Sequence, residues 1–133
     1  NNLTLVGADK KAPVVLDNVG AGEVSPTSTQ AVNGSQLYNA LGSGIGKLDE
    51  RISQVESDAK AGTAAAMAVA GLPQAYLPGK SMMAIGGGVY QGEQGYAVGL
   101  SSISDGGSWV IKGSATGNSR GHYGATAAIG YQW

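Results

Sequence analysis

Residues 80–133 read KSMMAIGGGVYQGEQGYAVGLSSISDGGSWVIKGSATGNSRGHYGATAAIGYQW, and the fold turns on how this stretch alternates. Its hydrophobic period is two, and clusters of Gly, Asp, Asn and Ser cut it into four runs. These span roughly Ser81 to Tyr90, Gly95 to Ser104, Ser108 to Thr116 and His122 to Trp133. Each approaches the roughly 9 to 11 residues that a tilted membrane-spanning strand requires. The connections Gln91-Gly92-Glu93-Gln94, Asp105-Gly106-Gly107 and Gly117-Asn118-Ser119-Arg120-Gly121 carry the residues of tight hairpins.

Alternation sorts each run into two chemically different faces. Met83, Ile85 and Val89 share one side of the first run, with Ala84, Gly86 and Gly88 on the other. In the second, Tyr96, Val98 and Leu100 oppose Gly95, Ala97, Gly99 and Ser101. The third sets Trp109 and Ile111 against Val110, Lys112 and Ser114. The fourth sets Tyr123, Ala125, Ala127, Ile129, Tyr131 and Trp133 against Gly124, Thr126, Ala128, Gly130 and Gln132. Nothing else in the chain is bulky enough to cover the large apolar face, so lipid is its expected cover, with Tyr and Trp at the run ends suiting the membrane–water interface. The lipid-facing set is then Met83, Ile85, Val89, Tyr96, Val98, Leu100, Trp109 and Ile111. The set expected to face a pore is Ala84, Gly86, Gly88, Ala97, Gly99, Gly124 and Ala128.

Four strands cannot remain an open sheet in hydrocarbon, because each unpaired edge group costs several kcal/mol there. Closure therefore demands more copies. Two copies would give eight strands, with an interior just wide enough for side chains; three would give twelve, with a lumen able to hold slender helices. The small inner face favours the homotrimer.

Upstream, the pattern becomes helical, with Ser35 the expected N-cap. Leu41, Ile45, Leu48, Ile52, Val55 and Ala59 form an apolar seam, with Ile45, Ile52 and Ala59 at a and Leu48 and Val55 at d. Arg51 at g and Glu56 at the following e have the separation that lets charges meet between helices, and Glu56 and Lys60 form an i,i+4 pair. Beyond Ala59 the helix thins to Gly62, Ala66 and Val69 flanked by alanines, until Gly71 and Pro73 stop it. Residues 1–36 hold two β-like runs, Leu3 to Val6 and Pro13 to Leu16, separated by turn residues. The organisation expected is thus a neck with short strands (1–36), a coiled-coil stalk (37–60), a pore helix with its linker (61–79) and a four-stranded barrel segment (80–133).

Composition narrows the function. Gly occurs 23 times in 133 residues and Phe not at all, which leaves too little bulk for a thick core. A net charge of −1 gives no basic surface for nucleic acid. The absence of Cys removes disulfides, thiolate metal sites and Cys nucleophiles. No run of about 20 apolar residues offers a membrane-spanning helix.

Two segments carry a family resemblance. Asn18-Val19-Gly20-Ala21-Gly22-Glu23-Val24-Ser25, followed by Ser28 to Leu37, resembles the neck of YadA-like trimeric autotransporter adhesins; its core is Ala31, Val32, Asn33, Gly34, Ser35, Gln36 and Leu37. Gln30 departs from the Asp common before that core. Leu72-Pro73-Gln74-Ala75-Tyr76-Leu77-Pro78-Gly79-Lys80-Ser81 and the ending Gly130-Tyr131-Gln132-Trp133 resemble the membrane anchor of the same family. The resemblance implies a membrane β-barrel plus coiled coil: a homotrimer with a twelve-stranded outer-membrane barrel, four strands per chain, three α-helices in the pore, and a small β neck. It implies that the anchor exports and presents an adhesive passenger for host-cell or matrix attachment and biofilm formation, with Ile129, Tyr131 and Trp133 read by the barrel-assembly machinery. The implied partners are two identical chains, outer-membrane lipid, that machinery, and a host surface ligand bound through a head outside this sequence.

No residue cluster points to catalysis, a cofactor or a metal. His122 is the sole histidine, beside a hairpin and without partners for metal binding or base chemistry. Gly86-Gly87-Gly88 lacks nucleotide-loop spacing and opens no helix. Lys112 is expected to point inward, since a charge facing lipid would be costly. The competing class is a soluble trimeric structural fibre in which residues 80–133 form an interwoven β head.

Overall fold

The computed structural model describes residues 1–133, with one helix, α1 (Gly34–Ala70), and four strands, β1 (Ser81–Tyr90), β2 (Glu93–Ile103), β3 (Trp109–Asn118) and β4 (Tyr123–Tyr131). The chain divides into two compact units, Asn1–Asp49 and Glu50–Trp133.

In the first unit the expected strands at Leu3 to Val6 and Pro13 to Leu16 do not form: residues 1–33 contain no strand. Their apolar side chains are exposed, and a strand without a hydrogen-bonding neighbour has no ladder to hold it. A second correction concerns the helix start. Asn33, not Ser35, is the N-cap: its Oδ1 accepts the Gln36 N–H at 3.1 Å, while Gln36 Oε1 accepts the Asn33 N–H at 3.2 Å. This reciprocal pair is a capping box spanning four residues, which satisfies two otherwise orphaned donors. Ser35 instead donates its hydroxyl to Asn33 Oδ1.

In the second unit the strands form one antiparallel meander in the order β1-β2-β3-β4. Two positive-φ residues, Gln91 (φ 47°) and Gly92 (φ 89°), join β1 to β2. That is the two-residue hairpin whose twist matches its strands. The ladder therefore reaches Glu93 and Gln94, which pair with Tyr90 and Val89, two residues earlier than the sequence indicated. Likewise β3 continues to Asn118, whose Oδ1 accepts the N–H groups of Arg120 and His122 and so closes the next turn.

Helix α1 crosses from the seam residues into the alanine-rich stretch without a break. In the second unit Ala61, Ala64 and Ala68 are completely buried, and the core cluster is Ala68, Leu72, Ala84 and Ala97 with Val69 against it. No large side chain is fully buried anywhere. Helix and sheet meet through backbone and methyl groups. A Cβ at Gly95 would stand 2.3 Å from Ala64 C, and one at Gly88 would stand 2.6 Å from Ala64 O, so glycine is required where the helix touches the wall. No helix is long and apolar enough to cross a membrane.

Candidate functional site

The register fixes which residues share a face. Ala84 pairs with Gly99, Gly86 with Ala97 and Gly88 with Gly95; Ala97 then meets Thr116, Gly99 meets Ser114, and Ser101 meets Lys112. On β4 the same face continues through Gly124, Thr126 and Ala128. Of the expected pore-facing set, Ala84 and Ala97 are buried under α1, and Gly86, Gly88 and Gly99 lie against Ala68, Ala64 and Leu72. Gly124 and Ala128 share that face but remain exposed, as does every residue of β4.

This face also carries polar groups that tie down the helix and its linker. Ser101 Oγ accepts the Ala75 N–H at 2.7 Å, with both residues buried. Lys112 Nζ donates to Leu72 O at 3.3 Å. The last turn of α1 has no basic residue of its own, so Lys112 brings from β3 the positive charge that the carbonyl end of a helix favours. Thr116 Oγ1 donates to Tyr96 O at 2.8 Å and lies 3.4 Å from Ala65 O. Ser114 and Thr126 share a hydroxyl bond of 2.6 Å. The sequence marks Lys112 as inward but gives no sign that its partner is the carbonyl of Leu72.

On the opposite face Met83 and Ile85 are more than three-quarters exposed, and Val89, Tyr96, Val98, Leu100, Trp109 and Ile111 are also exposed. The face is not uniformly bulky. Gly113, Ala115 and Gly117 of β3 sit beside Ala127, Ala125 and Tyr123, and the Tyr96 ring lies over Gly117, where a Cβ would meet its atoms at 2.6 Å. Tyr96 thus covers a neighbouring glycine, an aromatic repair of a weak strand position. Of the expected assembly signal, Ile129 and Tyr131 lie on β4 and Trp133 beyond it, fully exposed. Trp109 and Tyr131, paired across the ladder, have ring centroids 4.9 Å apart, tilted by 56°. Gln132 extends the pairing through its N–H to Ser108 O at 2.7 Å.

In the first unit the motif residues 31–37 form a clasp. The Gln36 side-chain amide accepts the Gly22 N–H at 2.9 Å and donates to Gly22 O. Asn33 Nδ2 donates to Val19 O at 3.1 Å, and Gln30 Oε1 accepts the Glu23 N–H at 2.7 Å. Gly22 passes so close to Ala31 that a Cβ would meet its carbonyl oxygen at 2.2 Å. Gln30, the departure from the family pattern, is therefore itself part of the clasp. The seam residues Leu41, Ile45, Leu48, Ile52, Val55 and Ala59 are all exposed on the single chain. His122 sits in the β3–β4 connection, and no three His, Cys, Asp or Glu side chains gather as a metal site would need.

Residues 73–133 match the YadA-like membrane anchor domain. The chain is 56% identical over 129 residues to the autotransporter adhesin NhhA of Neisseria meningitidis serogroup B, which covers 96% of this chain and 21% of that protein. It is 39% identical over 140 residues to the autotransporter adhesin EhaG of Escherichia coli O157:H7, covering 100% of this chain and 9% of that one. The trimeric autotransporter adhesin AtaA of an Acinetobacter species is 36% identical over 104 residues, covering 77% of this chain and 3% of its own length. The chain thus spans at most about a fifth of these relatives. A two-faced meander, a glycine-lined helix seat and these matches together make the chain an outer-membrane anchor region of the YadA-like trimeric autotransporter adhesin family.

Proposed function

We propose that three copies of this chain pool their strands into a closed twelve-stranded barrel, with three helices in its lumen. The barrel exports an adhesive passenger and then holds it at the cell surface for host-cell or matrix attachment and biofilm formation. The observation that carries this reading is the pairing of a bulky apolar face with two unpaired sheet edges, on β1 and β4. Lipid covers the first and sister chains satisfy the second.

The smooth Gly and Ala contact surface suits passage: little bulk obstructs a chain threading the lumen, and α1 fills the space afterwards. Gly62 to Ala70 belongs to the pore helix, and Ala84, Gly86, Gly88, Ala97, Gly99, Gly124 and Ala128 to the pore wall. Leu41 to Ala59 form the trimer seam, and the clasp at Gly22 and Gln36 sets the neck that carries the passenger. Trp133, with Ile129 and Tyr131, is offered to the barrel-assembly machinery. A soluble fibre segment would need a protein cover for the Met83, Ile85 and Val98 face, and no segment of the chain supplies one.

Outer-membrane fractionation followed by gel mobility with and without heating tests this. The expected result is a membrane-embedded trimer that collapses to monomer on boiling; a detergent-free soluble monomer would overturn it. Ile85→Arg should block insertion, since a cation on the lipid side near the bilayer centre costs about 2–4 kcal/mol.

A further inference from the structure

Between Ala61 and Ala70 the helix carries one long side chain, Met67, and its direction is informative. Ala61, Ala64, Ala65 and Ala68 face the sheet and are buried. Val69, a quarter-turn or so to one side, lies against the core cluster on the flank that looks toward β3 and β4. Met67 takes the other flank. A Cβ at Gly88 of β1 would lie 3.1 Å from Met67 Cβ, and Met67 is 47% exposed. It stands over β1, the strand whose outer edge has no neighbour, with nothing of its own chain beyond.

The opposite end of the sheet offers what Met67 lacks. The helix-side face of β4 is small, with Gly124, Thr126 and Ala128, and is uncovered. A cavity of about 480 Å³ opens over it, bounded by Gly62, Ala66 and Val69 on α1 and by Thr116, Gly124 and Thr126 on the sheet. That space exceeds one side chain. On the α1 side its lining has no residue larger than Val69, because the long side chain of this stretch is on the other flank.

We propose that Met67 of one copy inserts onto the helix-side face of β4 of the adjoining copy, at Gly124 and Thr126, bringing the flank of its helix into this cavity. The inference rests on the trimeric reading above, in which β4 of one chain lies beside β1 of the next. Joining those edges carries the helix seated on β1 alongside the bare β4, with Met67 leading. A thioether on an unbranched stem suits the task, since it fills an irregular gap without a fixed shape. The contact would link each helix to a wall it does not belong to, so that a helix is held by two chains rather than one.

The 133 residues contain no cysteine, which makes a disulfide test clean. Chains carrying Met67→Cys are co-expressed with differently tagged chains carrying Gly124→Cys, Thr126→Cys or Ala128→Cys, and outer membranes are oxidised and run without reductant. The expected result is a disulfide joining the two tags through Thr126→Cys or Gly124→Cys, and none when Val69→Cys, on the opposite flank toward β3 and β4 of its own chain, replaces Met67→Cys. Heat-modifiable trimers with no link from Met67→Cys to any of the three positions, or with a link from Val69→Cys instead, would overturn the inference and leave the trimer standing. Loss of the heat-modifiable species in the unsubstituted chain would instead overturn the trimer. Should the cysteine chains fail to assemble, the temperature of trimer dissociation decides. A fall in Met67→Ala with retention in Met67→Leu supports the contact, and no change in either variant refutes it.

Discussion

The Arg120 guanidinium stands 3.4 Å from the Asp58 carboxylate, tying the β3–β4 connection to α1 more than three turns before the point where Lys112 reaches Leu72. Between these two polar contacts the helix touches the sheet mainly through methyl groups and backbone. A smooth middle with directional bonds at each end fixes how far the helix sits along the wall, which apolar contact alone does not.

The two ends should differ in strength. Both Arg120 and Asp58 are over a third or close to a third exposed, so solvent screening leaves their coupling at about 0.2–1 kcal/mol. A double-mutant cycle with Arg120→Ala and Asp58→Ala, read by thermal dissociation, should return a value in that range and shrink with salt.

Lys112→Met removes a hydrogen bond from a half-buried group and leaves Leu72 O without its donor. The expected cost is about 0.5–1.5 kcal/mol. Proteolysis of the Leu72 to Gly79 linker should accelerate more in Lys112→Met than in Lys112→Arg; equal rates would show that the bond does not hold the linker.

Gly95→Val should be among the most damaging single changes. Its first added carbon already meets Ala64 and Ala65 backbone atoms at 2.3 Å, and backbone cannot rotate away. Overpacking of this kind costs about 1–3 kcal/mol or more. Loss of the folded anchor on semi-native gels checks this, with Gly106→Val, which meets nothing within 4 Å, as the tolerant control.

Gln36→Ala removes the capping box and the grip on Gly22 together. A cap alone is worth about 1 kcal/mol, so amide exchange over residues 19–37 should quicken, whereas Gln36→Glu should keep acceptance of the Asn33 and Gly22 N–H groups but lose donation to Gly22 O.

The Lys60 ammonium, 2.6 Å from the Glu56 carboxylate, lowers the pKa of Glu56 first through its hydrogen bond and then through its charge. A carboxyl whose folded pKa is depressed adds stability above its unfolded pKa and loses it as pH falls through the folded one. Acidification below the ordinary Glu range of about 4.3 should therefore weaken this turn of α1. A carbon-13 titration of Glu56 checks the direction, and Lys60→Ala should return it toward the usual value.

The faces of Lys80 to Trp133 were legible because a period of two leaves a residue only two places to point, and bulky and small residues alternate cleanly in β1 and β2. Alternation also put Ala125 and Ala127 on the outer face, but their pairing with Ala115 and Gly113 into one small patch depends on the β3–β4 register, which a single strand's pattern does not encode. Asn33 could have been found by the spacing Asn33-x-x-Gln36, but Ser35 competed with it as a cap former. The clasp on Gly22 joins residues 14 positions apart, and no local pattern encodes such a pairing. Apolar alternation at Leu3 to Val6 promised strands, but a strand also needs a partner, which lies outside the pattern itself.

β4 hydrogen-bonds along one side only and buries no residue. On the closure proposed above, its ordering is a question of dose: encounters between copies, set by how many share a patch of membrane, would govern how long the final strand survives. Scarcity alone could then disable the assembly without any change of sequence.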